Sequence, residues 1–155
     1  MFDTPSITQT RDQPAAVIRL TIPRSEIAKV MGPAIGEVFA AVAAQGIAPT
    51  GPVFSHHLRM DPDTFDFEVG VPVAQAITPV GRVEPGQLPG APVVRTVYHG
   101  PYEGLGDAWC ELKTWIEANG HAARADLWEC YVAGPESGRD AAHWRTELNQ
   151  PLKER

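Results

Sequence analysis

The chain has 155 residues, 43% of them hydrophobic and 21% charged, with a formal net charge of −6. These are values of one ordinary globular domain and exclude a disordered or fibrous chain. No apolar run approaches the roughly 20 residues that span a bilayer, no Lys/Arg cluster is present to neutralise phosphates, and the start, MFDTPSITQTRD, lacks a basic segment followed by an apolar one. No membrane or direct nucleic-acid partner is therefore expected, the compartment expected is the cytoplasm, and the acidic field suits a cationic or neutral organic ligand.

In chain order, an alternating β-rich run, Val17 to Ile22 (VIRLTI), opens the pattern. Ile27, Val30, Met31, Ile35, Val38, Phe39 and Val42 follow at helical spacing. Proline is costly inside a helix, so Pro33 predicts a short turn over Ser25 to Met31 and a main helix from Pro33 to Gln45, ended by Gly46. Two strands come next, Val53 to Met60 and Phe65 to Val73. The Pro/Gly-rich stretch 75–90 reads as a linker with a short edge strand around Gly81 to Glu84.

The same order then recurs: a strand at Val93 to Tyr98 (VVRTVY), a helix after His99-Gly100-Pro101 striped by Leu105, Ala108, Trp109, Leu112 and Ile116 and ended at Asn119-Gly120, then strands at Leu127 to Ala133 and His143 to Leu152. Arg19 matches Arg95, and the closing strands share E-x-x-x-P, with Glu68 and Pro72 matching Glu147 and Pro151. We read one α+β domain over 1–155, with duplicated β-α-β-β halves at 14–74 and 91–152. The halves are expected to form one antiparallel sheet, with two main helices on one face and a ligand cleft at the pseudo-two-fold seam.

Strand alternation puts Trp128, Cys130 and Val132 on one face, expected under the helix, and Leu127, Glu129 and Tyr131 on the other. Likewise Phe65, Phe67 and Val69 oppose Asp66, Glu68 and Gly70, and Trp144, Thr146 and Leu148 oppose Arg145, Glu147 and Asn149. The face away from the helices would then show Glu129, Tyr131, Glu147, Ser55, His57 and Glu68 around the cleft, a few carboxylates among aromatics. The plainer alternative is a wet face on which Arg19 and Arg95 pair with those carboxylates.

Four motifs in this order resemble one known family. They are Tyr98-His99-Gly100-Pro101-Tyr102-Glu103 with Leu105; Trp115-Ile116 with Gly120; Trp128-Glu129-Cys130-Tyr131 with Pro135; and Trp144-Arg145-Thr146-Glu147 with Pro151. Together they resemble the GyrI-like, or AraC-type effector-binding, domain that also forms the drug-binding part of BmrR-type regulators. The resemblance implies a central ligand cleft in which Glu129 meets a flat or lipophilic cation, with Tyr131 as its companion. Tyr102 would be either an aromatic wall or a staple for the helix start.

Among the tryptophans, Trp109 and Trp144 are expected to line the cleft, and Trp115 and Trp128 to be core. Regulators of this group carry a DNA-binding segment, and little chain precedes Val17, so the resemblance is to stand-alone members. These sequester a compound, inhibit a protein such as DNA gyrase, or hydrolyse electrophilic small molecules. The last would use Glu129 as base and Tyr131 or Glu147 as donor.

The remaining chemistry is thin. His56 and His57 are adjacent on a strand and point apart, so no metal is expected. His121 and His143 sit at element ends, where solvent exposure is expected. Cys110 and Cys130, without CxxC, read as two small buried hydrophobes and not as a disulfide. No P-loop, dinucleotide fingerprint or serine elbow occurs, so no cofactor is expected. A small organic ligand is the expected partner, with a protein partner or a homodimer left open.

Overall fold

The computed structural model describes residues 3–60, 63–133 and 144–153. It is α+β, with antiparallel strand pairing and two main helices, as the sequence predicts. Two compact units divide it, Arg11–Gly90 and, for the second, Ala91–Arg155 with Met1–Thr10.

In the first unit β2 (Gln13–Pro23) lies between β4 (Thr64–Pro72) and β5 (Glu84–Leu88), and β3 (Phe54–Met60) pairs with the other edge of β4. The register sets Ala16 opposite Val71, Ile18 opposite Val69 and Leu20 opposite Phe67. These side chains meet Ala34, Val38, Ala41 and Val42 of helix α1 (Ile27–Ala44) in one buried cluster. Each large apolar side chain buried there contributes about 1.5–3 kcal/mol. On the opposite face Val17 fills the space left by two glycines. A Cβ on Gly70 would lie 2.1 Å from the Ala16 carbonyl oxygen, and one on Gly86 2.6 Å from Val17 Cγ2.

The expected break before Pro33 does not occur. A 3₁₀ turn at Arg24–Glu26 runs into one continuous helix with Pro33 inside it. The apolar stripe on both sides of the proline outweighs its missing N–H, and the Pro33 ring itself is exposed. The helix does stop at Gly46, where φ is 67° and Ile47 N–H donates to the Val42 carbonyl at 3.1 Å. In the stretch read as a linker, the edge strand is β5, further along than expected.

The second unit repeats the order with β6 (Pro92–His99), a 3₁₀ turn at Tyr102–Gly104, α2 (Leu105–Ala118), β7 (Leu127–Ala133) and β8 (Arg145–Pro151). β8 lies between β6 and β7, and the polar strand β1 (Ser6–Gln9), which the sequence reading did not contain, pairs with β6. Helix α2 sets Ala108, Leu112 and Ile116 against Val94, Tyr98, Leu148 and Leu152. It ends at Gly120, where φ is 77° and His121 N–H donates to the Ile116 carbonyl. His143 and Pro135 lie outside the described residues.

One expectation is reversed by this packing. β7 opposes β8 with Glu129 across from Leu148 and Tyr131 across from Thr146, so Glu129 and Tyr131 share the face on which α2 sits. Trp128 and Cys130 are on the far face with Glu147 and Asn149. In the first unit, Ser55 and His57 pair with Val69 and Phe67 and so also belong to the helix side, while Glu68 does not. Apolar character misled the assignment because Leu127, Trp128, Glu129 and Cys130 are all buried, so β7 has no wet face at these positions.

Candidate functional site

Glu129 is buried, with 8% of its surface exposed, and each carboxylate oxygen accepts a hydrogen bond from an aromatic side chain. Trp109 Nε1, from α2, donates to Oε2 at 2.8 Å, and Tyr131 Oη, two residues along β7, donates to Oε1 at 3.1 Å. Both donors are neutral, so they fix the carboxylate without adding positive charge of their own. The spacing explains the geometry: residues two apart on a strand share a face, and the α2 stripe that buries Ala108 and Leu112 brings Trp109 to its edge.

Two more aromatics extend this group. The Tyr102 ring lies 5.9 Å from Tyr131, edge to face at 68°, and 5.1 Å from Trp144. Tyr102 is held by the turn that carries it. Tyr98, buried on β6, donates through its hydroxyl to the Pro101 carbonyl at 2.8 Å and fills the loop interior. A Cβ on Gly104 would sit 2.1 Å from Tyr98 Oη, and Gly100 has φ 137°, so the G-P-Y-E-G turn needs both glycines. Tyr102 itself is 37% exposed, and it is Tyr98 that fills the turn at the start of α2.

A family model described as the GyrI-like small molecule binding domain matches residues 3–153. The chain belongs to the GyrI-like family. In solved structures, this GyrI-like chain is similar to the EcmrR C-terminal domain, with 23% identity and a TM-score of 0.85, covering 98% of each chain. It also aligns with EcmrR in a cryo-electron-microscopy structure of an EcmrR–DNA complex, at 21% identity and TM-score 0.84, and covers 99% of this chain but 58% of that one. SAV2435 bound to tetraphenylphosphonium has 12% identity and a TM-score of 0.72, over 97% and 94% of the two chains. A hydrolase from Listeria innocua has 12% identity and a TM-score of 0.65, over 96% and 91%. No curated protein matches in sequence.

Within this GyrI-like chain, five residues singled out from sequence come together: Glu129, Tyr131, Tyr102, Trp109 and Trp144. Of the other three, Glu147 belongs to the same unit but not to this group, and His57 and Glu68 belong to the first unit. Glu147 lies on the far face of its sheet, where Arg95 Nε stands 3.3 Å from its carboxylate and Asn149 Nδ2 donates to it at 3.2 Å. It cannot serve as proton donor beside Glu129. Glu68 is half-buried, 3.9 Å from His56 Nδ1, and burial pushes its carboxyl upward. Arg19, matched to Arg95 by sequence, pairs instead with Asp66 at 3.1 Å. His57 is buried in the first unit against Phe65 and Phe67.

Both cysteines are free, as expected, but only Cys130 is buried; Cys110 is exposed on α2. Burial and the neighbouring Glu147 push the Cys130 thiol up to about 12, which makes it inert. Among the described residues, no group of three or more His, Cys, Asp or Glu is placed to hold a metal, and no helix is long and apolar enough to cross a membrane. What sequence reasoning missed is the support of the site, Tyr98 with Gly104. Its signal was present in the Y-x-G-P-Y-x-G spacing, which brings two glycines against one tyrosine.

Proposed function

We propose that the chain binds a lipophilic organic cation at Glu129 and acts in sequestration or regulation through that binding. The observation that carries the proposal is a carboxylate 8% exposed, fixed by two neutral donors and bordered by aromatic rings. Away from bulk water a carboxylate attracts a cation more strongly than at the surface, and ring faces add about 0.5–2 kcal/mol of cation–π attraction. A delocalised cation suits the site because it has little hydration to lose. The structural likeness to SAV2435, whose structure holds tetraphenylphosphonium, supports this choice of class.

The test is thermal unfolding with tetraphenylphosphonium. At a concentration near 100 times Kd, binding to the folded state adds about 2.7 kcal/mol, or roughly 5–10 °C for a chain of this size. Glu129→Gln keeps the shape and removes the charge; its amide oxygen can still accept from Trp109, while its NH2 can donate to the Tyr131 hydroxyl, and the variant is expected to abolish the rise while leaving the circular-dichroism spectrum unchanged. An equal rise in Glu129→Gln would overturn the assignment.

The hydrogen bond from Tyr131 to Glu129 also favours a second reading, in which Glu129 takes a proton from water and Tyr131 orients the pair for hydrolysis of an electrophilic compound. That reading requires catalytic turnover of an activated aryl ester that Glu129→Gln removes. Binding without product leaves the first reading alone.

A further inference from the structure

The two passages from strand to helix are built differently. In the first unit β2 runs from Ile22 through Pro23 into the 3₁₀ turn Arg24–Glu26, with no tyrosine and no glycine along it. In the second unit Arg95 matches Arg19, so Tyr98 matches Ile22; His99 and Gly100 are then added before Pro101, and Gly104 closes the turn Tyr102–Gly104. A 3₁₀ turn ahead of a helix therefore needs neither the tyrosine nor the glycines, and in the second unit they do something more than form one.

What they do is visible in how the turn is fixed. The Pro101 carbonyl accepts from Gly104 N–H at 3.1 Å and from the Tyr98 hydroxyl at 2.8 Å, and Gly100 N–H donates to the Trp144 carbonyl at 3.1 Å. Tyr98 is buried among Val94, Ala108, Leu112 and Leu148, and its hydroxyl occupies the place that a Cβ on Gly104 would need. The turn is thus tied from the core beneath it. The side chain it carries is Tyr102, whose ring stands 5.9 Å from Tyr131 and 5.1 Å from Trp144.

We propose that Tyr98 is a positioning residue: by holding this turn it sets the Tyr102 ring beside Tyr131 and Trp144, and so makes the Glu129 site prefer arylated cations to alkyl cations of equal charge. The proposal rests on the Glu129 reading and adds to it the class of cation. Coulomb attraction to the carboxylate does not distinguish the two kinds of cation. Aryl groups gain further from a ring held in an offset or edge-to-face arrangement, and that gain depends on where the ring is held. A Tyr102 released from its turn would keep its apolar area and lose its placement.

Isothermal titration calorimetry with tetraphenylphosphonium and tetrabutylphosphonium tests this, because the two carry one charge on the same phosphorus centre. Tyr98→Phe keeps the buried ring and removes only the bond to Pro101. Its affinity for the aryl cation is expected to fall about three- to tenfold, and that for the alkyl cation to change by less than about twofold. Gly104→Ala, whose methyl group would displace the same hydroxyl, should lower the ratio likewise, so the outcome does not depend on one variant. In a Tyr102→Leu background Tyr98→Phe should have no further effect on the ratio, a coupling that a general loosening of the fold would not produce. Equal losses for both cations, an unchanged ratio, or a Tyr98→Phe effect that persists without Tyr102 would overturn the role of Tyr98 and leave Glu129 in place. Failure of the wild type to bind either cation would instead overturn the Glu129 reading, and the preference with it.

Discussion

The two oxygens of Glu129 and the thiol of Cys130 sit on consecutive residues of β7 and meet opposite surroundings. Glu129 accepts from Trp109 and Tyr131 on the helix side, while Cys130 faces Glu147, and Asn149 Nδ2 stands 3.9 Å from its sulfur. Burial and the nearby carboxylate both penalise a thiolate, so the thiol held near 12 cannot act as a nucleophile at neutral pH. Cys110, exposed on α2, has no such protection. Folded protein treated with iodoacetamide at pH 8 should therefore take up one label, mapping to Cys110, and urea-unfolded protein should take up two. Mass spectrometry of the intact chain checks this, and labelling of Cys130 in the folded state would contradict its burial.

At the scale of elements, Pro33 is the clearest test of what holds α1 together. The helix runs through it although proline lacks the N–H that would reach the Lys29 carbonyl. Packing of Ala34, Val38, Ala41 and Val42 on β2 and β4 sustains the helix, so restoring the bond should add stability without moving the fold. Pro33→Ala, at an exposed position, is expected to stabilise the chain by about 1–3 kcal/mol, read as a higher urea midpoint at unchanged slope. A lower midpoint would mean that the proline fits a kink the core requires.

The same helix shows how far sequence reasoning reached. Helical spacing located the stripe and Gly46 located its end, because both are local signals. Proline's cost was also read correctly, but it was set against propensity alone and not against a packed face. In β1, SITQ offers no apolar alternation, so its pairing with β6 depends on a partner remote in sequence. The Glu129 group was legible in its members and not in its face: alternation gives two faces, and only the register with β8 and the seat of α2 say which is which.

For the molecule as a whole, His57 links the architecture to the response of the fold to acid. Burial is the main cause that lowers its pKa from 6.5 to about 4, and the charges of His56 and Arg24 act in the same direction. In the unfolded chain the imidazole takes a proton near pH 6.5, whereas in the folded chain it resists down to about 4. The unfolded state therefore binds more protons in that interval, and stability must fall as the pH drops. A difference of this size corresponds to roughly 3 kcal/mol, present in full above pH 6.5 and lost as the pH falls to about 4. Glu68 opposes this: burial raises its carboxyl, so its protonation in the folded state favours folding as the medium becomes acidic. Urea midpoints taken between pH 7.5 and pH 4 should accordingly fall steeply in the wild type and less steeply in His57→Leu, which has no proton to gain at that position. The wild-type and variant curves should diverge progressively below pH 6.5; parallel curves would show that the buried imidazole is not the group responsible.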